Sequence, residues 1–153
     1  MPGTGVSIIF FMKAVLFGLA AIILIPKEKY KKYFIYGFLL GGVIDIFLVF
    51  TLTYLNIIKY YNLGPFSVFD TFSFFTPIAW TFTMMLFLYF LPVKKVFLFP
   101  YVLSFAFYGI AVGYVLKGFG LYKFNIYYLM PVFIAWFSLA AYLYINNERI
   151  TIR

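Results

Sequence analysis

Cysteine and histidine are both absent from this 153-residue sequence, and acidic residues number only four. The missing side chains exclude thiolate nucleophiles, disulfides, imidazole bases and the usual zinc and haem ligands. We therefore expect no cofactor and no metal site. Because the sequence also lacks a recognisable nucleophile-base pair or acidic cluster, it predicts a protein that is not an enzyme.

Charged residues are scarce as well, at 10% of the chain against 66% hydrophobic residues. So little polar surface cannot coat a water-soluble globule, and lipid is the expected solvent. Five apolar segments approach the roughly 20 residues that cross about 30 Å of hydrocarbon, at 6–25, 33–55, 72–91, 96–116 and 126–145. The pattern predicts an all-α, polytopic transmembrane helix bundle, with residues 1–153 forming a single transmembrane domain.

The formal net charge of +8 comes from 12 lysines and arginines, nearly all in short connections beside apolar segments. Such cations orient helices and contact anionic headgroups, which argues against nucleic-acid binding. With five spans, the first and third connections share a side with the C-terminal tail. That side carries Lys27, Lys29, Lys31, Lys32, Lys94, Lys95, Arg149 and Arg153, and the other carries Lys59, Lys117 and Lys123. The positive-inside rule predicts a multi-pass protein of the cell membrane, with its N-terminus outside, its C-terminus inside and anionic lipid at its inner face.

Asp45 lies about midway along the second predicted span, where an unpaired carboxylate is costly. Lys13, in the first span, differs from it in depth by only about 5 Å, which a lysine stem can cover. We therefore predict an intramembrane polar pair between Lys13 and Asp45. Three interpretations stay open: the pair fixes helix packing, Lys13 snorkels outward to the membrane surface, or the two residues form a proton or cation site.

Two glycine pairs have the GxxxG spacing that permits close contact between membrane helices. Gly37 and Gly41 share a face of the second span with Asp45, which predicts that Asp45 points into the bundle. Gly109 and Gly113 form the other pair, in the fourth span. Helix packing is the role that the spacing favours for both pairs.

Asp70 precedes the third span in the segment FDTFSFFTPIAWTF. If this segment is helical, Asp70, Ser73 and Thr81 lie within one stripe and form a polar groove beside Pro77, which frees backbone carbonyls. The alternative is that Asp70 is an acid favoured by the helix dipole and that Pro77 is an ordinary transmembrane kink.

Four segments have a distinctive order along the chain: IPKEKYKKY after the first span, GGVIDIF around the mid-span acid, FFTPIAW in the third span, and FLPVKKVFLFPY between the third and fourth. This order resembles a family of small membrane proteins with about five spans, found largely in spore-forming low-GC bacteria. The resemblance implies residence in a membrane. It transfers no substrate and no site residue.

Two functions follow from these features. The first is a non-enzymatic accessory or assembly component of the membrane, whose small-residue faces bind partner helices or a second copy of the chain. The second is a small cation or proton transporter or channel subunit that uses the mid-membrane Asp45 together with Lys13 or Asp70. A membrane enzyme acting on lipid ranks last, because the catalytic groups it needs are missing.

Overall fold

The structure, a computed structural model, describes the backbone of residues 4–151 and the side chains of residues 8–148. Within this range the chain is nearly all α-helical, as predicted. The helices are α1 (Thr4–Leu24), α2 (Lys27–Tyr54), α3 (Phe75–Tyr89), α4 (Lys95–Gly118) and α5 (Ile126–Thr151). Four short strands accompany them: β1 (Ile58–Tyr60), β2 (Ser67–Val68), β3 (Phe72–Ser73) and β4 (Tyr122–Phe124).

Three of the described helices are long and apolar enough to cross a membrane, as expected of a membrane protein. They comprise Lys27–Tyr54, Lys95–Gly118 and Ile126–Glu148. Two further helical stretches are apolar but shorter, at Ile8–Leu24 and Phe75–Tyr89. Each of the five predicted apolar segments therefore corresponds to one apolar helix.

α2 begins at Lys27 and not at residue 33, so the connection PKEKYKK is almost entirely helical. Pro26 (φ −58°, ψ 143°) separates it from α1 and leads directly into its first turn. Lysine is a good helix former, and Glu28 in the first turn is favoured by the helix dipole. Hydropathy misplaced this boundary because charged residues at a helix end are compatible with helix.

α3 begins at Phe75 and not at residue 72, because Phe72 and Ser73 form β3 and pair with β2. The resulting β2–β3 hairpin turns through Phe69 and Asp70, which both have a positive φ, of 49° and 53°. α5 also differs from its predicted bounds, since it continues past residue 145. The third apolar segment is therefore part hairpin and part helix.

One end of the bundle, called the strand end below, is closed by pairing between two connections. β1 follows α2, β4 follows α4, and the two strands pair antiparallel. Two residues after each preceding helix ends, the chain adopts the left-handed conformation, at Asn56 (φ 58°) and Gly120 (φ 70°). This geometry is typical of a helix C-terminus and turns the chain out of the helix direction.

The opposite end of the bundle, called the tail end, is held by contacts between the start of α2 and the end of α5. Lys32 forms an ion pair with Glu148. One turn deeper, the hydroxyls of Tyr33 and Tyr144 are hydrogen-bonded at 2.8 Å. The first connection and the end of α5 thus lie at the same end, while the second and fourth connections meet at the other.

α3 occupies the centre of the bundle, since ten of its fifteen residues are buried. It packs against α1 and α2, while α4 and α5 pack against each other. The contact with α2 is made at glycines. A Cβ atom added at Gly37 would lie 2.7 Å from the carbonyl oxygen of Thr81, and one added at Gly41 would lie 2.5 Å from the carbonyl oxygen of Trp80. Only glycine permits this approach of two backbones.

At this contact α2 changes from α-helix to a π-helical segment, Phe38–Val43. Such segments depart from the regular helical hydrogen-bonding pattern and often occur at functional sites. The buried indole of Trp136 in α5 donates a hydrogen bond of 2.6 Å to the Leu40 carbonyl inside the segment. A tertiary contact therefore satisfies backbone within the widened turn.

Four aromatic residues pack against one another in the half of the bundle nearest the tail end. Phe87 of α3 and Phe137 of α5 are fully buried, with ring centroids 4.8 Å apart. Phe105 and Tyr101 of α4 also lie against Phe87, at 5.0 Å and 5.2 Å. The Tyr101 hydroxyl donates to the Phe87 carbonyl at 2.8 Å. We call these four residues the aromatic layer.

The glycine contact yields a prediction about stability. Gly41→Ala places a methyl group against the Trp80 carbonyl oxygen, so α2 and α3 must separate. We expect the free energy of unfolding to fall by about 1–3 kcal/mol, measured by denaturant unfolding in detergent. Gly118→Ala is the matched control, since a Cβ there meets nothing within 4 Å. Equal effects of the two substitutions would contradict the central role of the contact.

Candidate functional site

A cavity of about 390 Å³ lies in the half of the bundle nearest the strand end. All five helices contribute to its lining, which is almost entirely apolar. Its exposed lining residues are Leu16 of α1 and Ala111 and Val115 of α4, which places its mouth between these two helices. The volume falls within the range of about 300–1,000 Å³ found for small-molecule sites. We call this space the strand-end cavity.

Asp45 projects into the strand-end cavity from α2 and is only 3% exposed. Its Oδ2 atom has no hydrogen-bond partner among the described residues. A buried acceptor left without a partner loses its hydration and gains nothing in return, which costs about 1–3 kcal/mol and more for a charged group. Asp45 is therefore held in a position that is unfavourable for folding alone.

Lys13 lines the same cavity from α1. Its Nζ atom lies 4.0 Å from the ring centroid of Trp80 and 5.9 Å from that of Tyr108. Ammonium groups over aromatic faces are attracted by the ring quadrupole. Among the described side chains Lys13 makes no direct ion pair with Asp45. The structure thus brings the predicted pair into one cavity, with the cation on an aromatic ring and not on the carboxylate.

Two tryptophans form a wall of the cavity, and they are the only two in the chain. Trp80 and Trp136 are buried with their ring centroids 5.2 Å apart. Thr76, one turn before Trp80, is also buried in the lining, and its hydroxyl has no hydrogen-bond partner among the described residues. The hydroxyl of Tyr108 in the lining is likewise buried without a hydrogen-bond partner, so among the described residues the cavity offers three unused polar groups, from Asp45, Thr76 and Tyr108, on an apolar surface.

Tyr60 of β1 and Tyr122 of β4 close the cavity toward the strand end, with ring centroids 4.6 Å apart. Burial raises the pKa of Tyr122, and the negative charge of Asp45 raises it further. Burial is also the main reason that the pKa of Tyr60 lies above its ordinary value. Both phenols consequently stay protonated at physiological pH and add no charge to the site.

The second glycine pair borders the same space. A Cβ atom added at Gly109 would lie 3.0 Å from the ring of Phe133, and one added at Gly113 would lie 3.2 Å from the ring of Phe124. Both glycines line the strand-end cavity. Larger residues at these positions would press on the rings and narrow the cavity, so the pair shapes the site as well as the packing.

The predicted polar groove of Asp70, Ser73 and Thr81 is wrong, because α3 begins after Ser73. Asp70 is exposed in the β2–β3 hairpin and accepts a hydrogen bond of 3.2 Å from the Ser67 hydroxyl. Ser73 is buried in β3. Thr81 donates to the Pro77 carbonyl at 2.8 Å within α3. The three side chains therefore have separate local roles, and Asp70 lies too far ahead of α3 to cap it.

Sequence reasoning missed Trp80, Thr76, Tyr60 and Tyr122 as parts of the site. Spacing along one helix carries no information about which rings from other helices surround a lysine. The two tyrosines come from connections that hydropathy describes only as polar. Within residues 8–148, no group of three or more Asp or Glu side chains could hold a metal ion.

The unpartnered carboxylate yields a second stability prediction. Replacing Lys13 and Asp45 together, by Lys13→Met and Asp45→Leu, removes both charged groups; Met matches Lys closely in volume, and the larger Leu projects into the strand-end cavity. We expect the free energy of unfolding in detergent to rise by about 1–3 kcal/mol, since no direct ion pair is lost.

The matched control is Lys32→Met with Glu148→Leu, which removes a direct but partly exposed ion pair. Here we expect a loss of no more than about 1 kcal/mol. If the Lys13 and Asp45 double variant were the less stable of the two, the buried charges would be structural, and the strand-end cavity would lose its claim to be a functional site.

No family model, curated protein or solved structure matches this chain. The resemblance to small five-span proteins of spore-forming bacteria therefore stays a prediction.

Proposed function

We propose that the protein is a non-enzymatic accessory component of the cell membrane whose strand-end cavity binds a small, largely apolar molecule. One observation carries the proposal: Asp45 lines the cavity, is only 3% exposed, and has no hydrogen-bond partner for its Oδ2 atom among the described residues. A ligand that donates a hydrogen bond to this oxygen would remove the cost of its burial. The site is thus suited to an apolar molecule with a hydroxyl or amine group.

The position of the cavity mouth supports delivery of this ligand from the bilayer. The exposed rim residues Leu16, Ala111 and Val115 are all apolar and belong to the helix surface that lipid would contact. An apolar molecule dissolved in the hydrocarbon could enter between α1 and α4 without crossing a polar surface. The acceptor oxygen of Asp45 disfavours a carboxylate ligand, which would bring a second negative charge and no hydrogen-bond donor.

The aromatic layer favours binding over passage. It lies toward the tail end, and Phe87 and Phe137 within it are fully buried. The strand-end cavity therefore has a mouth toward the membrane but a packed floor toward the tail end. A resident ligand fits this shape better than an ion moving through the bundle.

For the membrane arrangement we propose five spans, with the strand end outside and the tail end inside. The tail end has the greater positive charge, including the exposed lysines Lys27, Lys29, Lys31, Lys94 and Lys95, which would meet anionic headgroups. Arg153 lies outside the described residues, as does the side chain of Arg149, so this support comes from the lysines. The shorter helices α1 and α3 would cross as parts of the bundle.

Transport is the second candidate, and one observation favours it. Lys13 and Asp45 are opposite charges in one buried space without direct contact, an arrangement suited to exchanging a proton or cation. Transport would require the aromatic layer to open, and a second copy of the chain to provide room for that motion. Proton flux in liposomes that Asp45→Asn abolishes would support this candidate over simple binding.

The binding proposal predicts quenching of the two cavity tryptophans. Bromine quenches indole fluorescence on contact, so bromine-tagged medium-chain alcohols, amines and carboxylates report occupancy directly. In nanodiscs we expect saturable quenching, with the alcohol and the amine binding about tenfold more tightly than the carboxylate, the scale of one hydrogen bond to a charged group.

Asp45→Asn should reduce this preference to less than about threefold. Thr83→Val is the matched control, because Thr83 is buried in α3, bonds the Ala79 carbonyl and does not line the cavity. It should leave both the affinity and the preference unchanged. Quenching that never saturates, or a ligand preference that Asp45→Asn leaves unchanged, would refute the proposed site.

The proposed orientation predicts the behaviour of reporter fusions. A reporter that is active only in the cytoplasm should be active when fused after Arg153. The same reporter fused after Asn62, an exposed residue at the strand end, should be silent. The reverse pattern would invert the orientation, and activity at both positions would contradict the number of spans.

A further inference from the structure

The β1–β4 pairing places two lysines directly opposite each other. Lys59 of β1 and Lys123 of β4 are register partners in an antiparallel pair, where neighbouring side chains lie close together. Like charges at such positions are destabilising. The neighbouring pairs, Ile58 with Phe124 and Tyr60 with Tyr122, carry no charge. The repulsion is therefore confined to the two lysines, and a negative charge beside them would compensate for it.

A third lysine joins them. Lys117, in the last turn of α4, lines the same surface pocket of about 640 Å³ as Lys59 and Lys123. These are all three cations that the sequence assigns to this end of the molecule. Three segments that are separate in the chain thus contribute one cation each to a single recess, which we call the lysine pocket.

The described residues supply no acid to neutralise this charge. None of the three lysines takes part in an ion pair among the described side chains. The two acids nearest this end of the bundle lie at other sites. Asp45 is buried in the strand-end cavity, and Asp70 accepts a hydrogen bond from Ser67 in the β2–β3 hairpin.

The remaining lining suits an anion at the membrane surface. The Nζ atom of Lys59 lies 5.5 Å from the ring centroid of Tyr61, and the Nζ atom of Lys117 lies 5.8 Å from the ring centroid of Tyr114, so both ammonium groups lie over aromatic rings. Asn56 also lines the pocket and adds an amide that can donate hydrogen bonds. Tyrosines and lysines of this kind are typical of headgroup depth.

We propose that the lysine pocket binds a phosphate group that carries a net negative charge, either in an anionic lipid headgroup or as a soluble phosphate. Compact ammonium groups bind phosphate as point charges, and three of them around one recess balance the doubly charged or clustered anions that single lysines bind weakly. The anion would also relieve the repulsion between Lys59 and Lys123, so binding would stabilise the β1–β4 pair.

Thermal unfolding in a nonionic detergent tests this site with defined probes. The probes are short-chain phosphatidylglycerol, short-chain phosphatidylcholine and inorganic phosphate. A ligand that binds only the folded state raises the unfolding temperature. We expect a rise with phosphatidylglycerol that phosphatidylcholine does not reproduce and that added sodium chloride diminishes, since the contacts are exposed.

The variant Lys59→Gln with Lys123→Gln should weaken binding of the anionic probe by about tenfold or more. The charge-conserving variant Lys59→Arg with Lys123→Arg is the matched control, because it changes the same two positions and keeps both positive charges. It should change that affinity by less than about twofold, since the charges that bind the anion remain. Lipid counting by native mass spectrometry provides a readout that does not depend on variant stability.

The outcomes separate the two sources. Protection by inorganic phosphate alone identifies a soluble phosphate, and protection by phosphatidylglycerol without competition from phosphate identifies a headgroup. Equal protection by both lipids, or equal losses in both double variants, would overturn the proposal. Neither result depends on ligand binding in the strand-end cavity.

Discussion

The close contact between the glycines of α2 and the backbone of α3 is the constraint from which the rest of the arrangement follows. Because Gly37 and Gly41 bring the two backbones together, α3 becomes the central helix, and α1, α4 and α5 are left to surround it. The same contact fixes the level of Asp45 relative to Trp80. Packing of small residues is also the interaction that remains effective in hydrocarbon, where apolar burial drives no association between helices.

The two halves of the bundle differ in how they use their aromatic residues. Toward the tail end, Phe87 and Phe137 are fully buried and pack against each other. Toward the strand end, Trp80 and Trp136 line an open space, and the hydrogen bond from Trp136 to the Leu40 carbonyl connects that lining to the π-helical segment of α2. Rigid packing in one half can therefore hold the other half open, which allows two charged side chains to persist in it without contact.

The sequence was sufficient to predict the helical class, the five apolar segments and the inward position of Asp45, because each depends on local hydropathy or on spacing along one helix. It was insufficient where long-range contacts decide. Lys59 and Lys123 pair across strands of three residues each, too short for an alternating pattern to be recognised. Lys13 lies on Trp80, although a carboxylate was the simpler expectation, because ring positions depend on how three helices meet. Asp70 and Ser73 were assigned to a helix because hydropathy does not distinguish an apolar hairpin from an apolar helix.

The shortness of α3 has a consequence for how the molecule sits in a bilayer. Fifteen residues rise about 22 Å, roughly 8 Å less than the thickness of the hydrocarbon. In the five-span arrangement proposed above, α3 is surrounded by longer helices, so the non-helical chain ahead of it would descend into the acyl region, where pairing between β2 and β3 satisfies part of its backbone. Phe69 and Phe74 of this segment are 85% and 55% exposed. Their rings would then lie among the lipid tails, so a re-entrant hairpin, and not a helix terminus, would set how deeply this side of the protein inserts into the bilayer.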